Sequence, residues 1–377
     1  MSGIYFHIPF CKQRCNYCDF YKSLNVNKTD AFLKGLLKEI TLRKDYIETK
    51  EVKTIYFGGG TPSLINCDNI SRLLDAVSSI FIVHDQPEIT LEANPDDLTF
   101  EYLTKLKEIG INRLSIGIQS FSDHDLKQMG RRHNSDQAVL AVKNAQKAGF
   151  TNISVDLIYG IPGMLNSQWE DNLDKVFELN VQHLSAYHLT FHENTVFGDR
   201  LKKGVIKEID EKQSLQQYEL LINKAEENHF IQYEISNFAL EGFFSKHNSS
   251  YWDQTEYLGL GPSAHSFNKK TRYWSVSDID QYISRLNEDI LPGEFENLTN
   301  YDRFNDYIII RLRTIWGVDA QEIKKEFGDE FYDHVMKMTR KYSLTGNVIN
   351  NDEKIRISPQ GLFISDQIIS DYLYLKN

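Results

Sequence analysis

The sequence predicts an α/β protein: a partial, open TIM-type barrel of six strand–helix units, followed by a mostly helical, winged-helix-like C-terminal domain. Three observations carry this expectation. Apolar, strand-like runs alternate with amphipathic stretches six times between Ile4 and Leu189, the pattern of parallel strands joined by right-handed crossovers. Six units fall short of the eight that close a TIM barrel. Finally, the cysteines, a glycine run and several polar side chains fall at or just past the carboxyl ends of the strands, the edge on which parallel α/β folds build their sites.

The elements follow in order. Ile4 to Ile8 is a short apolar strand that runs into a cysteine loop. Asp30 to Tyr46 places Phe32, Leu33, Leu36, Leu37 and Ile40 at helical spacing, with Thr29 or Asp30 as N-cap. Val52 to Phe57 is the second strand and ends in Gly58-Gly59-Gly60-Thr61-Pro62. Asn69 to Phe81 reads as helix, and Glu88 to Ala93 as a strand ending in Asn94-Pro95. Phe100 to Ile109 is helical and stops at Gly110; Arg113 to Ile118 is a strand ending at Gln119. Ser135 to Lys147 is helical, Ile153 to Ile158 a strand, Ser167 to Leu179 helical, and His183 to Leu189 the sixth strand.

Beyond Phe191 the pattern loosens. Glu211 to His229 is a helix, and Tyr233 to Trp274 is an aromatic, glycine-rich stretch. The tail carries helices near 302–315, 320–327 and 330–341, a hairpin around Gly346-Asn347 and a last helix from Pro359. These shifts divide the chain into a barrel (1–230), a connecting region (231–300) and a C-terminal helical domain (301–377).

Composition narrows the function. Hydrophobic residues make up 41% and charged residues 25%, ordinary for a soluble globular protein. A formal net charge of −11 argues against general nucleic-acid binding. Basic and acidic residues nearly balance in the tail, so its winged-helix character carries no DNA-binding footprint. No apolar run approaches the length of a membrane span, although peripheral membrane contact stays open. The N-terminal stretch IYFHIPF lacks the basic and apolar regions of a signal peptide. With cysteine scarce, the expected compartment is the cytoplasm. The 12% aromatic content suits pockets for flat ligands as well as cores.

Three of the four cysteines lie in CKQRCNYC, spaced C-x3-C-x2-C as Cys11, Cys15 and Cys18. Structural zinc and fully protein-ligated iron–sulfur clusters take four ligands. Three thiolates suit a cubane with one iron left open, and a zinc loop borrowing a distant histidine is the plainer alternative. Cys67, flanked by polar residues, reads as an ordinary side chain. The glycine run lets backbone approach a ligand closely. Glu92 taken alone is a strand-end carboxylate, Arg131 a salt-bridge partner, His7 a core histidine and His247 a capping histidine.

The motifs IYFHIPFCKQRCNYCDF, YFGGGTPS, ITLEANP, RLSIGIQSF, GRRH, VDLIYGIPG, YEISNF, HNSSYW and GLGPSAHS together resemble the radical SAM superfamily, in its coproporphyrinogen III dehydrogenase-like branch, over nearly the whole chain. The resemblance implies that Cys11, Cys15 and Cys18 hold a [4Fe–4S] cluster whose open iron takes the amino and carboxylate groups of S-adenosylmethionine (SAM). It implies that Gly59, Gly60 and Thr61 meet the SAM amino group and that Glu92 binds its ribose. Tyr5 and Tyr17 would pack against SAM. Gln119, Arg131 and Asp156 match polar positions of the branch, some of which hold a second SAM.

HNxxYW recurs in a haem-chaperone subgroup, which implies haem contact by His247, Tyr251 and Trp252. Two departures from the dehydrogenases point the same way. Phe20 stands where they carry a further cysteine, and the first strand starts within a few residues of Met1, without their N-terminal extension. The expected function is therefore haem binding and transfer to acceptor apoproteins, such as respiratory haem proteins. Oxidative decarboxylation of coproporphyrinogen III is the alternative.

Overall fold

The computed structural model describes residues 2–351 and 354–375; the expected domain end at residue 377 lies outside them. The barrel elements are β1 Ser2–Ile8, α1 Thr29–Leu42, β2 Glu51–Gly59, α2 Cys67–Ile80, β3 Ile82–Ala93, α3 Phe100–Glu108, β4 Arg113–Gln119, α4 Asp123–Gln128, α5 Ser135–Lys147, β5 Ile153–Tyr159, α6 Asn166–Glu178 and β6 His183–His188. Strands β1 to β6 pair in sequence order, all parallel. Their outward residues, such as Ile4, Phe6 and Ile8, are buried under the helices, which is why these strands read as nearly continuous apolar runs. Side chains of Asn66, Thr99 and Asn134 cap α2, α3 and α5, fixing where each crossover begins.

The sheet does not stop at six strands. After α7 Val196–Lys202 and α8 Glu211–Glu227 come β7 Ile231–Gln232, β8 Asn237–Ala239, α9 Lys246–Trp252, β9 Tyr257–Leu260, β10 His265–Phe267, β11 Thr271–Ser275, α10 Ile279–Asn287 and β12 Gly293–Asn297. Strands β8 and β7 continue the β6 edge antiparallel. On the other edge β9 joins β1 in parallel, and β10, β11 and β12 follow antiparallel. The result is a twelve-stranded sheet in the order β12-β11-β10-β9-β1-β2-β3-β4-β5-β6-β8-β7. The added strands are two to five residues long, too short for alternation to register as a pattern.

Element α1 ends at Leu42, one turn before the expected Tyr46. Arg43 turns inward there to donate to Gly259 O at 2.7 Å and Ser266 Oγ at 2.8 Å. The C-terminal part contains α11 Asn300–Arg311, β13 Val318–Asp319, α12 Ala320–Phe327, α13 Asp329–Ser343, β14 Val348–Asn351, β15 Lys354–Ile357 and α14 Ser365–Tyr372. A three-stranded sheet, β13-β15-β14, forms the wing. Phe304, Ile308, Val335 and Tyr372 belong to a hydrophobic cluster of its own, separate from that of the barrel.

Candidate cofactor site and the adjoining aromatic cavity

Beyond β1 the chain enters the cysteine loop. Pro9 O accepts from Ser23 N at 2.7 Å, and Cys11 N donates to Ser23 O at 3.0 Å, so the loop closes on itself. Its middle is pinned to the turn after α4: Asn16 N donates to Met129 O at 2.9 Å and Asn16 Nδ2 to Gln128 O at 2.8 Å. Cys11 is buried, Cys15 and Cys18 are half-buried, and all three thiols are free. Thr61 Oγ1 donates to Cys11 Sγ at 3.5 Å, and Arg131 Nη1 to Cys15 Sγ at 3.4 Å. Burial pushes the Cys11 thiol up, against the Thr61 hydrogen bond.

These thiols open onto a cavity of about 440 Å³ at the carboxyl ends of the strands. Tyr17, Gly59, Gly60, Thr61, Glu92, Gln119, Arg131 and Asp156 line it together with the three cysteines. Tyr5 does not. Cys67 lies elsewhere, at the start of α2, with its sulfur 4.0 Å from Tyr102 O.

Arg131 organises one wall. Its Nη2 donates to Asn94 Oδ1 and to Gly117 O, both at 2.6 Å, and its Nη1 also reaches Tyr17 OH at 3.4 Å. Glu92 organises a second set of contacts. Tyr56 OH donates to Glu92 Oε1 at 2.8 Å and Gly59 N to Glu92 Oε2 at 3.1 Å. Burial raises the Glu92 carboxyl to about 7, although the Tyr56 hydrogen bond opposes the shift. Asp156 accepts from Ser115 Oγ at 3.1 Å, and burial holds its carboxyl above the usual range. Gln119 occupies the left-handed region at φ +70°, beside a register shift between β4 and β5; a non-glycine residue pays about 1–2 kcal/mol for that conformation.

The glycines answer to the protein itself. A Cβ on Gly60 would meet Phe10 O at 2.7 Å and Ile8 O at 2.9 Å, and one on Gly59 would meet the His7 ring at 2.7 Å. Tyr56, Asn94 and Ser115 escaped the sequence reading. Each works through a neighbour that only the sheet brings near; Asn94 alone had a signal, in its place directly after a strand end.

A second cavity, of about 700 Å³, adjoins the first, and Phe20, Gly59 and Glu92 line both. Both volumes fall within the ~300–1,000 Å³ typical of ligand sites. Tyr5, Tyr251, Tyr257 and Phe267 give the second cavity aromatic walls, and Asp306 and Ile310 of α11 close it from the C-terminal side. Phe20, 67% exposed, stands at the junction.

HNSSYW forms α9, capped by Ser245 Oγ, which accepts from Asn248 N. The backbone N–H groups of Lys246 and His247 donate to the Glu88 carboxylate at 3.0 and 2.9 Å. His247 and Tyr251 share a helix face, and the His247 Nε2–Tyr251 OH distance is 2.8 Å. The other ring nitrogen of His247 pairs with Thr54 Oγ1 at 2.8 Å. At 1% exposure His247 lies behind the cavity wall, and burial drops its imidazole to about 3. Tyr251 reaches the cavity; His247 and Trp252 do not line it.

The donor set at the first cavity fits an iron–sulfur cubane with one open iron. Among the described residues no three His, Cys, Asp or Glu side chains converge on one metal ion. A cubane does not require that, because each thiolate binds a different iron. The spread thiols, with hydrogen bonds already aimed at two of the sulfurs, meet that demand.

A family model for the radical SAM superfamily matches residues 5–176, and one for the HemN C-terminal domain matches residues 298–364. Heme chaperone HemW of Bacillus subtilis is 32% identical over 99% of this chain and 99% of its own length. Heme chaperone HemW of Lactococcus lactis is 32% identical over 99% of this chain and 97% of its own length. The chain belongs to the radical SAM superfamily and, within it, to the HemW family. Radical S-adenosyl methionine domain-containing protein 1, mitochondrial, of Bos taurus is also similar, at 34% identity over 99% of this chain and 87% of that protein. The solved coproporphyrinogen III oxidase (HemN) from Escherichia coli shares the fold, with a TM-score of 0.85 at 23% identity over 99% of this chain and 90% of that one. The radical SAM match runs from Tyr5 into α6 and so takes in all three cysteines, the glycine run, Glu92, Gln119, Arg131 and Asp156. No helix among the described residues is long and apolar enough to cross a membrane.

Proposed function

We propose that this HemW-family protein is a haem chaperone. It binds haem in the aromatic cavity and passes it to acceptor apoproteins, including respiratory haem proteins, while the neighbouring cavity carries a [4Fe–4S] cluster and SAM. The observation that carries the reading is the common wall: a thiol-lined cavity and a larger aromatic one meet at Phe20, Gly59 and Glu92, in a chain that matches proteins named heme chaperone over its full length. The reading locates the protein in the cytoplasm, where reduced thiols hold clusters.

In this reading Cys11, Cys15 and Cys18 hold the cluster. Cluster and SAM together supply one-electron chemistry at an open iron. Thr61 and Arg131 donate to the cysteine sulfurs, and hydrogen bonds to ligand sulfur set cluster potential. Glu92 is held by Tyr56 and Gly59, leaving each carboxylate oxygen a lone pair for the ribose hydroxyls of SAM. Gln119, Arg131 and Asp156 supply polar contacts along the same cavity. Tyr5 and Tyr251 form haem walls, and His247 fixes Tyr251 from behind. The shared wall lets the state of one cavity bias release from the other.

The test is transfer. Anaerobically reconstituted protein should bind haem and donate it to an apo-haem protein, and should make no protoporphyrinogen from coproporphyrinogen III with SAM and reductant. Turnover in the second assay would replace the chaperone reading with the dehydrogenase.

A further inference from the structure

We infer that His265, a residue of the GLGPSAHS stretch, supplies the imidazole that binds haem iron; the inference rests on the chaperone reading and names the ligand within it. Two histidines line the aromatic cavity among the described residues, His7 and His265. His7 is committed. One ring nitrogen pairs with Tyr5 OH at 3.2 Å and the other with Tyr21 O at 3.3 Å, and the ring is buried. His247 is equally committed, to Thr54 and Tyr251, and sits behind the wall.

His265 differs from both. It is exposed, and neither ring nitrogen makes a hydrogen bond among the described residues. Its strand explains its direction. β10 is held antiparallel between β9 and β11, and successive side chains of a strand face opposite sides. Ser266 points inward, accepting from Arg43 Nη2 at 2.8 Å and from Gly259 N at 2.9 Å. His265 and Phe267 therefore share the other face, and both line the cavity. An iron ligand on a paired strand, with a flat aromatic neighbour two residues on, is rigid and already oriented. Partial burial, with Arg272 adding to it, keeps the imidazole below its usual range, so the neutral ring has a lone pair to give. Binding forms one Fe–N bond, releases the water that occupied that iron position, and involves no change of oxidation state.

The experiment titrates ferric haem into the anaerobically reconstituted full chain. It reads Soret absorbance and electron paramagnetic resonance, with the cluster signal monitored alongside. Wild type and His124→Ala, an exposed side chain that lines neither cavity, should give one histidine-ligated spectrum. His265→Asn, which keeps a polar side chain of similar size on β10, should lose that spectrum and bind haem at least tenfold more weakly. Its cluster signal should stay intact, and added imidazole should restore the ligated spectrum. Haem bound to His265→Asn with the wild-type spectrum would overturn the assignment alone. Loss of haem and cluster together, or no rescue by imidazole, would make His265 a structural residue and overturn it too. Failure of wild type to bind haem would overturn the chaperone reading along with it.

Discussion

At the residue scale, Glu92 lines both cavities, and burial sets its charge state. Its carboxyl rises from an ordinary 4.5 to about 7, so between those values the folded state binds more protons than the unfolded one. Stability contributed by the neutral form is full below pH 4.5 and is lost as pH rises towards 7. Glu92→Gln should therefore flatten the fall in unfolding free energy over pH 4.5–7, by up to ~1.4 kcal/mol per pH unit, measured by urea denaturation of the cofactor-free protein. Gly60 makes a different demand. Gly60→Ala drives a methyl into Phe10 O and Ile8 O, and overpacking of this kind costs ~1–3 kcal/mol; thermal melting should register it as a drop of several degrees. The two residues also mark what a sequence discloses. Cys11, Cys15 and Cys18 were legible because their chemistry is local to eight residues. Tyr56, Asn94 and Ser115 were not, because they meet Glu92, Arg131 and Asp156 from other βα units. His265 lies inside GLGPSAHS, and its signal is the alternation with Phe267.

At the scale of elements, Glu39 of α1 and Arg43 just past its end form a buried pair. Glu39 and Arg43 lie 3.2 Å apart and are almost fully buried. Glu39 Oε2 accepts from Tyr282 OH at 2.6 Å and from Gly261 N at 2.9 Å, while Arg43 stacks 3.8 Å over the Tyr273 ring. The pair thus clamps α1 to β9, β11 and α10. Breaking one partner of such a pair costs ~3–5 kcal/mol, so Glu39→Ala should lower the denaturant midpoint markedly, while Glu101→Ala, in an exposed pair on α3, should leave it nearly unchanged. The clamp also explains why the extra strands stayed hidden. Strands β9 to β12 lean on α1 and β1, and β7 and β8 on β6, rather than on their own composition, so Tyr233 to Trp274 reads as irregular. The six central strands were legible for the opposite reason, each having an apolar run of its own and an amphipathic helix after it, several of them capped.

At the scale of the molecule, the barrel supplies one cavity and shares the other with α11 of the C-terminal part. Arg272 bridges the two parts by pairing with Asp306, and Arg311 pairs with Asp253 at 2.6 Å. The two cavities share Phe20, Gly59 and Glu92 but none of the cysteines lines the aromatic one, so their ligands should separate genetically. Cys15→Ala should abolish the visible absorbance of the cluster and its iron and sulfide content, yet bind ferric haem with an affinity near that of wild type; loss of haem binding in that variant would show that the aromatic cavity depends on the cluster for its shape.

The parallel pairing of β1 with β9 joins Gly3 to Tyr257. On the ribosome, about 250 residues must emerge between those two partners, a delay on the order of 10–50 s at usual rates of synthesis. For that interval the aromatic cavity lacks the wall that Tyr257, His265 and Phe267 supply, so it takes shape only after translation has passed β10.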